Sequence, residues 1–243
     1  MIKSQPNEWP APPKNTAASA TATGVVAVAA GSCLQVWGPT GELRLEKTLA
    51  GAELRCHYGH HSPLRLRPDG VLLAWVLDAK QITVMTLQGE DVFCAAQWEI
   101  PSVMDISWSP DGKHLASCFI YGVSIHDDSG TEAHRLLTDD YPSPIALSFD
   151  LSGLLLGVGC ADMRTRVCSL PTFQLKHTTP EEQGQVYSLC FDRTSERIAY
   201  WNVHASTVVV RSLVDGCELL RIPDTNAQVG DLFCCSCCCC HCC

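Results

Sequence analysis

Basic residues are scarce in this chain. Lys and Arg number 17 in 243 residues against 26 Asp and Glu, which gives a formal net charge of −9. Nucleic-acid affinity rests largely on Lys and Arg contacts with phosphates, so this balance argues against a nucleic-acid partner. The basic residues are also scattered, and their nearest approach to a cluster is the pair Arg65 and Arg67.

Long apolar runs and a leader sequence are lacking as well. No stretch approaches the length of apolar sequence that a membrane span needs, and the most apolar run, residues 24–37, is broken by Gly31 and Ser32. The N-terminus lacks the apolar centre of a signal peptide. We therefore expect an intracellular protein, cytoplasmic or nuclear. Residues 1–15 are predicted to be a flexible, Pro-rich lead-in, or alternatively a segment that docks Trp9 onto a surface.

Catalytic motifs are the third absence. Residues 122–126 carry the first half of a nucleophile elbow, but His126 stands where the second glycine is needed. Gly157 and Gly159 have the spacing that opens a dinucleotide fingerprint, but the third glycine is missing and the segment is predicted to be a strand. No phosphate-cradling loop is present. The sequence therefore assigns no catalytic, cofactor-binding or metal-binding residue and predicts no cofactor.

Cysteine, in contrast, is abundant, with 16 residues. Eight are dispersed over residues 33–217, and the other eight crowd into residues 234–243. Four of the dispersed residues lie among apolar neighbours, which is typical of small core side chains: Cys94, Cys118, Cys160 and Cys190. Free buried thiols fit a reducing compartment better than a disulfide framework does.

Residues 103–130 form one recognisable structural unit. Ile106 and Trp108 alternate with polar residues, as in a half-buried strand. Pro110 and Gly112 then supply a tight turn, and two further short strands follow before the next turn at residues 127–130. Three short strands with a fourth after them predict a small antiparallel sheet that cannot bury both of its faces alone.

The unit recurs along the chain. Aligned on Gly112, equivalent turns lie at residues 68–70, 151–153 and 193–195, and a poorer copy opens at residues 19–24. The residues before the four better turns are spaced 42, 41 and 42 apart: Leu66, Trp108, Phe149 and Phe191. A period of this length with four strands per copy is typical of propeller blades.

In this pattern the chain resembles the WD-repeat family over roughly residues 16–233. The dipeptides at the family's Trp-Asp position are Trp37-Gly38, Met85-Thr86, His126-Asp127, Cys168-Ser169 and Arg211-Ser212. The family's aspartate between the second and third strands is matched by Asp78 and Asp162, with His204 in the fifth copy. In the family these positions belong to a buried hydrogen-bond network. No copy holds the whole set, so we expect blades held mainly by apolar packing.

The sequence thus predicts an all-β protein, a β-propeller of four-stranded antiparallel blades. The predicted blades cover residues 16–50, 62–99, 103–142, 143–179 and 185–223, with the first strand of a sixth at 229–233. Five blades and a fragment leave unpaired edges, which predicts an open arc, or a strained small ring, that expresses poorly alone. The Cys-rich tail, residues 234–243, interrupts the sixth copy and favours a truncated isoform, an out-of-frame exon or a gene-model artefact. Metal binding and lipidation of the tail are the alternatives.

The resemblance implies a non-catalytic scaffold that holds protein or peptide partners on its blade loops and rims within a multiprotein assembly. The alternative function is a metal-binding or enzymatic propeller that uses Cys/His segments such as residues 56–61, or Asp105 on an innermost strand. The acidic pairs at 139–140 and 181–182 are predicted to be solvated loop tips, or alternatively a docking face for a basic partner.

Overall fold

The computed structural model describes residues 16–30, 32–48, 64–77, 80–89, 91–137, 142–202 and 204–223. Within these ranges the chain forms β-strands and turns but no helix. The strands make five four-stranded antiparallel sheets, each in chain order from its first strand to its fourth. The predicted all-β class and the four-stranded blades are therefore confirmed.

The five blades use consecutive segments of the chain. Blade I contains β1 (Thr16–Ala20), β2 (Val26–Ala30), β3 (Cys33–Trp37) and β4 (Leu43–Thr48). Blade II contains β5 (Leu64–Leu66), β6 (Leu72–Leu77), β7 (Gln81–Gln88) and β8 (Asp91–Glu99). Blade III contains β9 (Val103–Trp108), β10 (His114–Phe119), β11 (Gly122–Asp127) and β12 (Glu132–Leu137). Blade IV contains β13 (Pro144–Phe149), β14 (Leu155–Cys160), β15 (Thr165–Ser169) and β16 (Leu175–Thr178). Blade V contains β17 (Val186–Phe191), β18 (Arg197–Asn202), β19 (Thr207–Ser212) and β20 (Glu218–Pro223).

Strand register shows that the sequence copies are structurally equivalent. The last residue of each inner strand faces an apolar residue near the start of the second strand, in the pairs Leu66–Leu73, Trp108–Leu115, Phe149–Leu156 and Phe191–Ile198. In blade I the corresponding pair is Ala20–Val26. The alignment made on the turn residues is therefore confirmed in three dimensions.

A β-bulge marks the family's tryptophan position in every blade. The pairing of the third strand with the fourth shifts register immediately before Trp37, Met85, His126, Cys168 and Arg211. A bulge bends its strand and increases the local twist, so it shapes the blade whatever side chain follows it. The repeat geometry thus persists where the Trp-Asp residues have been lost.

The apolar core lies between the blades. Blade II shows the arrangement: Leu73 and Trp75 of β6 pack with blade I, while Ala74 and Val76 pack with blade III. Both faces of β6 are therefore buried, as its continuous apolar sequence predicts. Each of the four apolar clusters among the described residues combines two consecutive blades. At about 25 cal/mol per Å² of apolar surface, this burial is the main source of cohesion.

The blades form an open arc. Inner strands of consecutive blades contact one another through the series β1, β5, β9, β13 and β17. No contact of comparable extent joins β17 to β1 among the described strands. We call the side of a blade that looks toward the next blade its forward face, and the opposite side its rear face. The forward face of blade V and the rear face of blade I carry no described blade. The partial sixth blade predicted at 229–233 and the tail at 234–243 lie outside the described residues, as do residues 1–15.

Candidate protein-binding site

One turn design joins the first two strands of all five blades. The fourth residue after each inner strand has a positive φ, between 59° and 85°, at Gly24, Gly70, Gly112, Gly153 and Ser195. In each case its N–H donates to the carbonyl oxygen three residues earlier. Glycine adopts this conformation without steric cost, whereas Ser195 carries it as a strained exception in blade V. The five turns lie at the same end of the arc, which we call the turn end.

Side chains lock these turns with a bond between the residue after the inner strand and the residue two positions later. Ser109 donates to Asp111 at 2.6 Å, and Thr194 donates to Asp192 at 2.8 Å. The hydrogen bond from Ser109 is the main reason why the pKa of Asp111 is lowered. The same link is made by different residues in the other blades: Thr21 with Thr23, Arg67 with Asp69, and Ser152 with Asp150. Side-chain bonds of this kind hold a turn in one conformation.

At the turn end the five inner strands end around a cavity of ≈ 270 Å³. Each blade contributes the last residue of its inner strand to the wall: Ala20, Leu66, Trp108, Phe149 and Phe191. Four of these residues define the repeat period in the sequence. Sequence spacing established their equivalence along the chain but gave no indication that they meet across the arc.

A few fixed polar groups interrupt this apolar wall. Arg65 is held by Asp105, with 3.1 Å between Nη2 and Oδ1. Asp150 accepts hydrogen bonds from the Leu155 N–H at 2.8 Å and from the Ser195 hydroxyl at 2.7 Å. Apolar walls with a small number of oriented polar groups are typical of sites that bind another molecule.

Asp105, the acidic candidate on an innermost strand, has a structural role. It is buried, and besides Arg65 it accepts hydrogen bonds from the N–H groups of Ile106 at 2.9 Å and Leu147 at 3.0 Å. These partners belong to three different inner strands, β5, β9 and β13. The carboxylate therefore joins blades II, III and IV, and both of its oxygens are engaged in doing so.

The rim of the cavity exposes apolar side chains. Leu151 lines the cavity from the turn of blade IV, and Leu154 in the same turn is 59% exposed. The prolines at the position equivalent to Leu151, Pro68 and Pro110, also line the cavity. Sequence reasoning missed this rim. The signal that could have found it is a leucine at a turn position where two other copies carry proline.

Blade V contains a buried charged network at the family's tryptophan position. Glu182, in the connection from blade IV, accepts hydrogen bonds from Tyr200 at 2.6 Å, Arg211 at 2.9 Å and Arg221 at 3.0 Å. Burial alone would raise the pKa of Glu182, but these hydrogen bonds outweigh it and lower the pKa. The prediction that residue 182 is a solvated loop tip is therefore wrong, whereas its neighbour Glu181 is exposed. Residues 139–140 lie outside the described part of the chain.

Glu182→Gln is expected to lower the free energy of unfolding by about 2 kcal/mol at pH 7, because a neutral amide replaces a carboxylate held by two guanidinium groups. The folded-state pKa of Glu182 lies below its ordinary value of 4.5, so its stabilising effect is complete above that pH. The difference between wild type and variant should therefore shrink as the pH falls through the lowered pKa. Urea unfolding at pH 7 and pH 3 measures this.

The matched control is Glu181→Gln, because Glu181 is exposed and its ion pair with Arg164 spans 3.3 Å at the surface. Its effect should stay below about 1 kcal/mol at both pH values. Equal effects of the two substitutions would contradict the assigned role of Glu182.

The other residues at positions of the family's hydrogen-bond network differ in burial and in their contacts. His126 in blade III is buried and stacks on Trp98 of blade II with 4.8 Å between ring centroids, and burial lowers its pKa. Asp162 receives a bidentate pair of hydrogen bonds from Arg166, which fixes the turn between β14 and β15. His204 is exposed, and Asp78 lies outside the described residues.

Cysteine side chains divide between core and surface. Cys118 and Cys160 are fully buried, and burial raises the pKa of Cys160 to about 12. Their predicted role as core side chains is confirmed. The same prediction is wrong for Cys94, which is exposed on the outer strand β8, and Cys190 is half-buried in the cavity wall.

No group of three or more His, Cys, Asp or Glu side chains is placed to hold a metal ion within the described ranges. Residues 56–61 and 234–243, which carry the Cys/His segments, fall outside those ranges. Nor does the described chain contain a helix with the length and apolar character needed to cross a membrane.

Comparison with known proteins identifies the fold. No family model matches the sequence, and no curated protein matches it. The structure is similar to the β-propeller domain of Cps50 (Swd1) from Myceliophteria thermophila, with a TM-score of 0.68 and 14% sequence identity over 85% of this chain and 72% of that chain. The chain has the β-propeller fold.

The propeller is incomplete over the described residues, since its five blades do not close into a ring. Its inner strands are the strands around the propeller axis, so the cavity at the turn end lies on that axis. Leu151 of blade IV lies at the axial opening.

Proposed function

We propose that this propeller is a non-catalytic scaffold that binds a protein or peptide partner at its turn end, within a multiprotein assembly. The observation that carries the proposal is the axial cavity, whose wall takes one inner-strand residue from every blade and whose rim exposes Leu151. The blades form a rigid support, and residues on the turns between strands can bind a partner without catalysing a reaction, as is general for this fold.

The net charge and the buried cysteines of the chain support a protein-binding role inside the cell. The net charge of −9 favours protein partners over nucleic acid. Cys118 and Cys160 are free and fully buried, which suits a reducing compartment and supports an intracellular location.

Leu151→Glu tests the site. A carboxylate at the rim would have to be desolvated by an apolar partner, so partner binding should fall tenfold or more, a loss of about 1.4 kcal/mol. The measurement compares proteins recovered by tagged wild type and tagged variant from cells, by quantitative mass spectrometry with equal bait.

Ile120→Glu is the matched control. Ile120 has a similar exposure but lies in the turn between β10 and β11, at the opposite end of blade III. Partners lost with Leu151→Glu and retained with Ile120→Glu would support the site at the turn end. Recovery unchanged by Leu151→Glu would contradict it.

A further inference from the structure

The forward face of a blade is buried wherever a following blade exists. In blade III the forward side chains of the two middle strands are Ala116, Cys118, Val123 and Ile125, and all four are buried against blade IV. Strand register gives their equivalents in blade V as Ala199, Trp201, Val208 and Val210. These residues are equally apolar, but the alanine and both valines remain partly exposed.

The outer strand of blade V shows the difference most clearly. Leu45 of blade I pairs with Val36 and is only 3% exposed, because blade II covers it. Its equivalent in blade V, Leu220, pairs with Val210 and is 50% exposed. Ile222 beside it is also exposed. The forward face of blade V therefore has the composition of a blade interface without a described blade on it.

The rear face of blade I likewise has no described blade against it. Its outward side chains on β2 and β3 include Val26, Val28, Gln35 and Trp37, which are partly exposed. The equivalent residues of blade III are Leu115, Ser117, Ser124 and His126, and all four are buried. Over the described residues, the forward face of blade V and the rear face of blade I are thus the two blade faces without a blade against them.

We propose that the forward face of blade V binds the rear face of blade I in a second copy of this chain. The contact would continue the interface that already recurs four times within the molecule, a forward face against a rear face, with apolar residues on both sides. The second copy supplies a complete sheet whose backbone hydrogen bonds are already made. The segment 229–233, predicted from the sequence to be a single strand, would cover only part of the face.

This contact is head-to-tail. It uses two different surfaces, so an assembly of any number of chains still has one open forward face at one end and one open rear face at the other. Association should therefore continue past the dimer as the protein concentration rises, unless the arcs close into a ring.

Two substitutions separate the faces. Val210→Glu places a charge on the forward face of blade V, and Val28→Glu places one on the rear face of blade I. Both side chains are partly exposed, so the monomer should keep its fold, which the far-ultraviolet circular dichroism spectrum and the melting temperature check. Val214→Glu is the matched control, since Val214 lies in the turn between β19 and β20 and is 78% exposed.

The experiment is light scattering coupled to size-exclusion chromatography over a concentration series. We expect wild type and Val214→Glu to grow in mass with concentration, and each of the other variants to remain monomeric alone. An equimolar mixture of Val210→Glu and Val28→Glu should form a dimer and nothing larger, because only one productive pair of faces remains.

Two outcomes would overturn the proposal. One is a wild-type chain that stays monomeric at every concentration; if Leu232→Asp then causes association, the face is occupied by the chain's own segment. The other is a mixture of the two variants that stays monomeric although wild type associates, which would place the self-contact elsewhere on the surface.

Discussion

Asp105→Ala is expected to lower the free energy of unfolding by about 4 kcal/mol. The substitution removes a buried carboxylate that accepts hydrogen bonds from Arg65, Ile106 and Leu147 on three neighbouring inner strands. It leaves the Arg65 guanidinium without its carboxylate and the buried Leu147 N–H without its acceptor. Loss of one partner of a buried ion pair costs about 3–5 kcal/mol, and an unsatisfied N–H adds to the loss. Urea unfolding followed by tryptophan fluorescence measures the change.

Asp128→Ala is the control for this prediction. Asp128 also pairs with an arginine of blade II, Arg67, at 3.2 Å, but its side chain is half exposed. Its loss should cost less than about 1 kcal/mol, as is usual for surface ion pairs. Similar losses from the two substitutions would show that Asp105 joins the blades no more strongly than a surface pair does.

Gly159→Val is expected to lower the free energy of unfolding by about 3 kcal/mol and to weaken the attachment of blade V to blade IV. A Cβ atom at Gly159 would lie 2.7 Å from Cγ1 of Val186 and 2.8 Å from the Val186 carbonyl oxygen. The carbonyl is backbone and cannot turn aside, so β17 would have to move away from β14, and overpacking of this kind costs about 1–3 kcal/mol or more. Limited proteolysis should then cleave the connection at residues 179–185 faster than in wild type.

Ala199→Val serves as the comparison. Ala199 lies on the forward face of blade V, where no described blade packs over it, so added methyl groups meet no neighbouring sheet. Its effect should stay within about 0.5 kcal/mol at concentrations where the chain is monomeric. A Gly159→Val chain as stable as Ala199→Val would contradict the close approach of blades IV and V.

The fold was predictable because two independent features of the sequence show the repeat period of the blades. One is the spacing of strand-ending residues such as Trp108 and Phe149, and the other is the turn that follows them. Even the copy without glycine was aligned correctly, since Ser195 occupies the same positive-φ position as Gly112. The Gly157-Val158-Gly159 segment was likewise correctly interpreted as strand, and the structure supplies the reason for its glycines in the approach of blade V.

The network at Glu182 was not predictable by the same route. The family has a tryptophan at this position of the third strand, and Arg211 does not match it. Acidic pairs in connections are usually solvated, so Glu182 was grouped with Glu181. Arg211 and Arg221 reach the same carboxylate only because β19 and β20 are paired in the folded blade. The register of that pairing cannot be read from the local sequence.

The misassigned cysteine has a similar cause. Cys94 lies next to apolar residues in the sequence, but β8 is an outer strand whose side chains are largely exposed. Composition identifies a strand without saying whether it is an inner or an outer one. The axial cavity escaped prediction for a related reason, since distances across the arc depend on how many blades curve around the axis and by how much.

The open arc also has a consequence for how the protein loses its structure. Among the described residues, the extensive contacts of each sheet are with the sheets before and after it, so cooperativity passes from one neighbour to the next, as in repeat proteins. Within the described part of the chain, blades II, III and IV pack against a blade on both sides, whereas blades I and V pack against a blade on one side. In a monomer, local opening should therefore begin at the two terminal sheets and proceed inward, leaving the amide protons of blade III as the slowest to exchange with solvent.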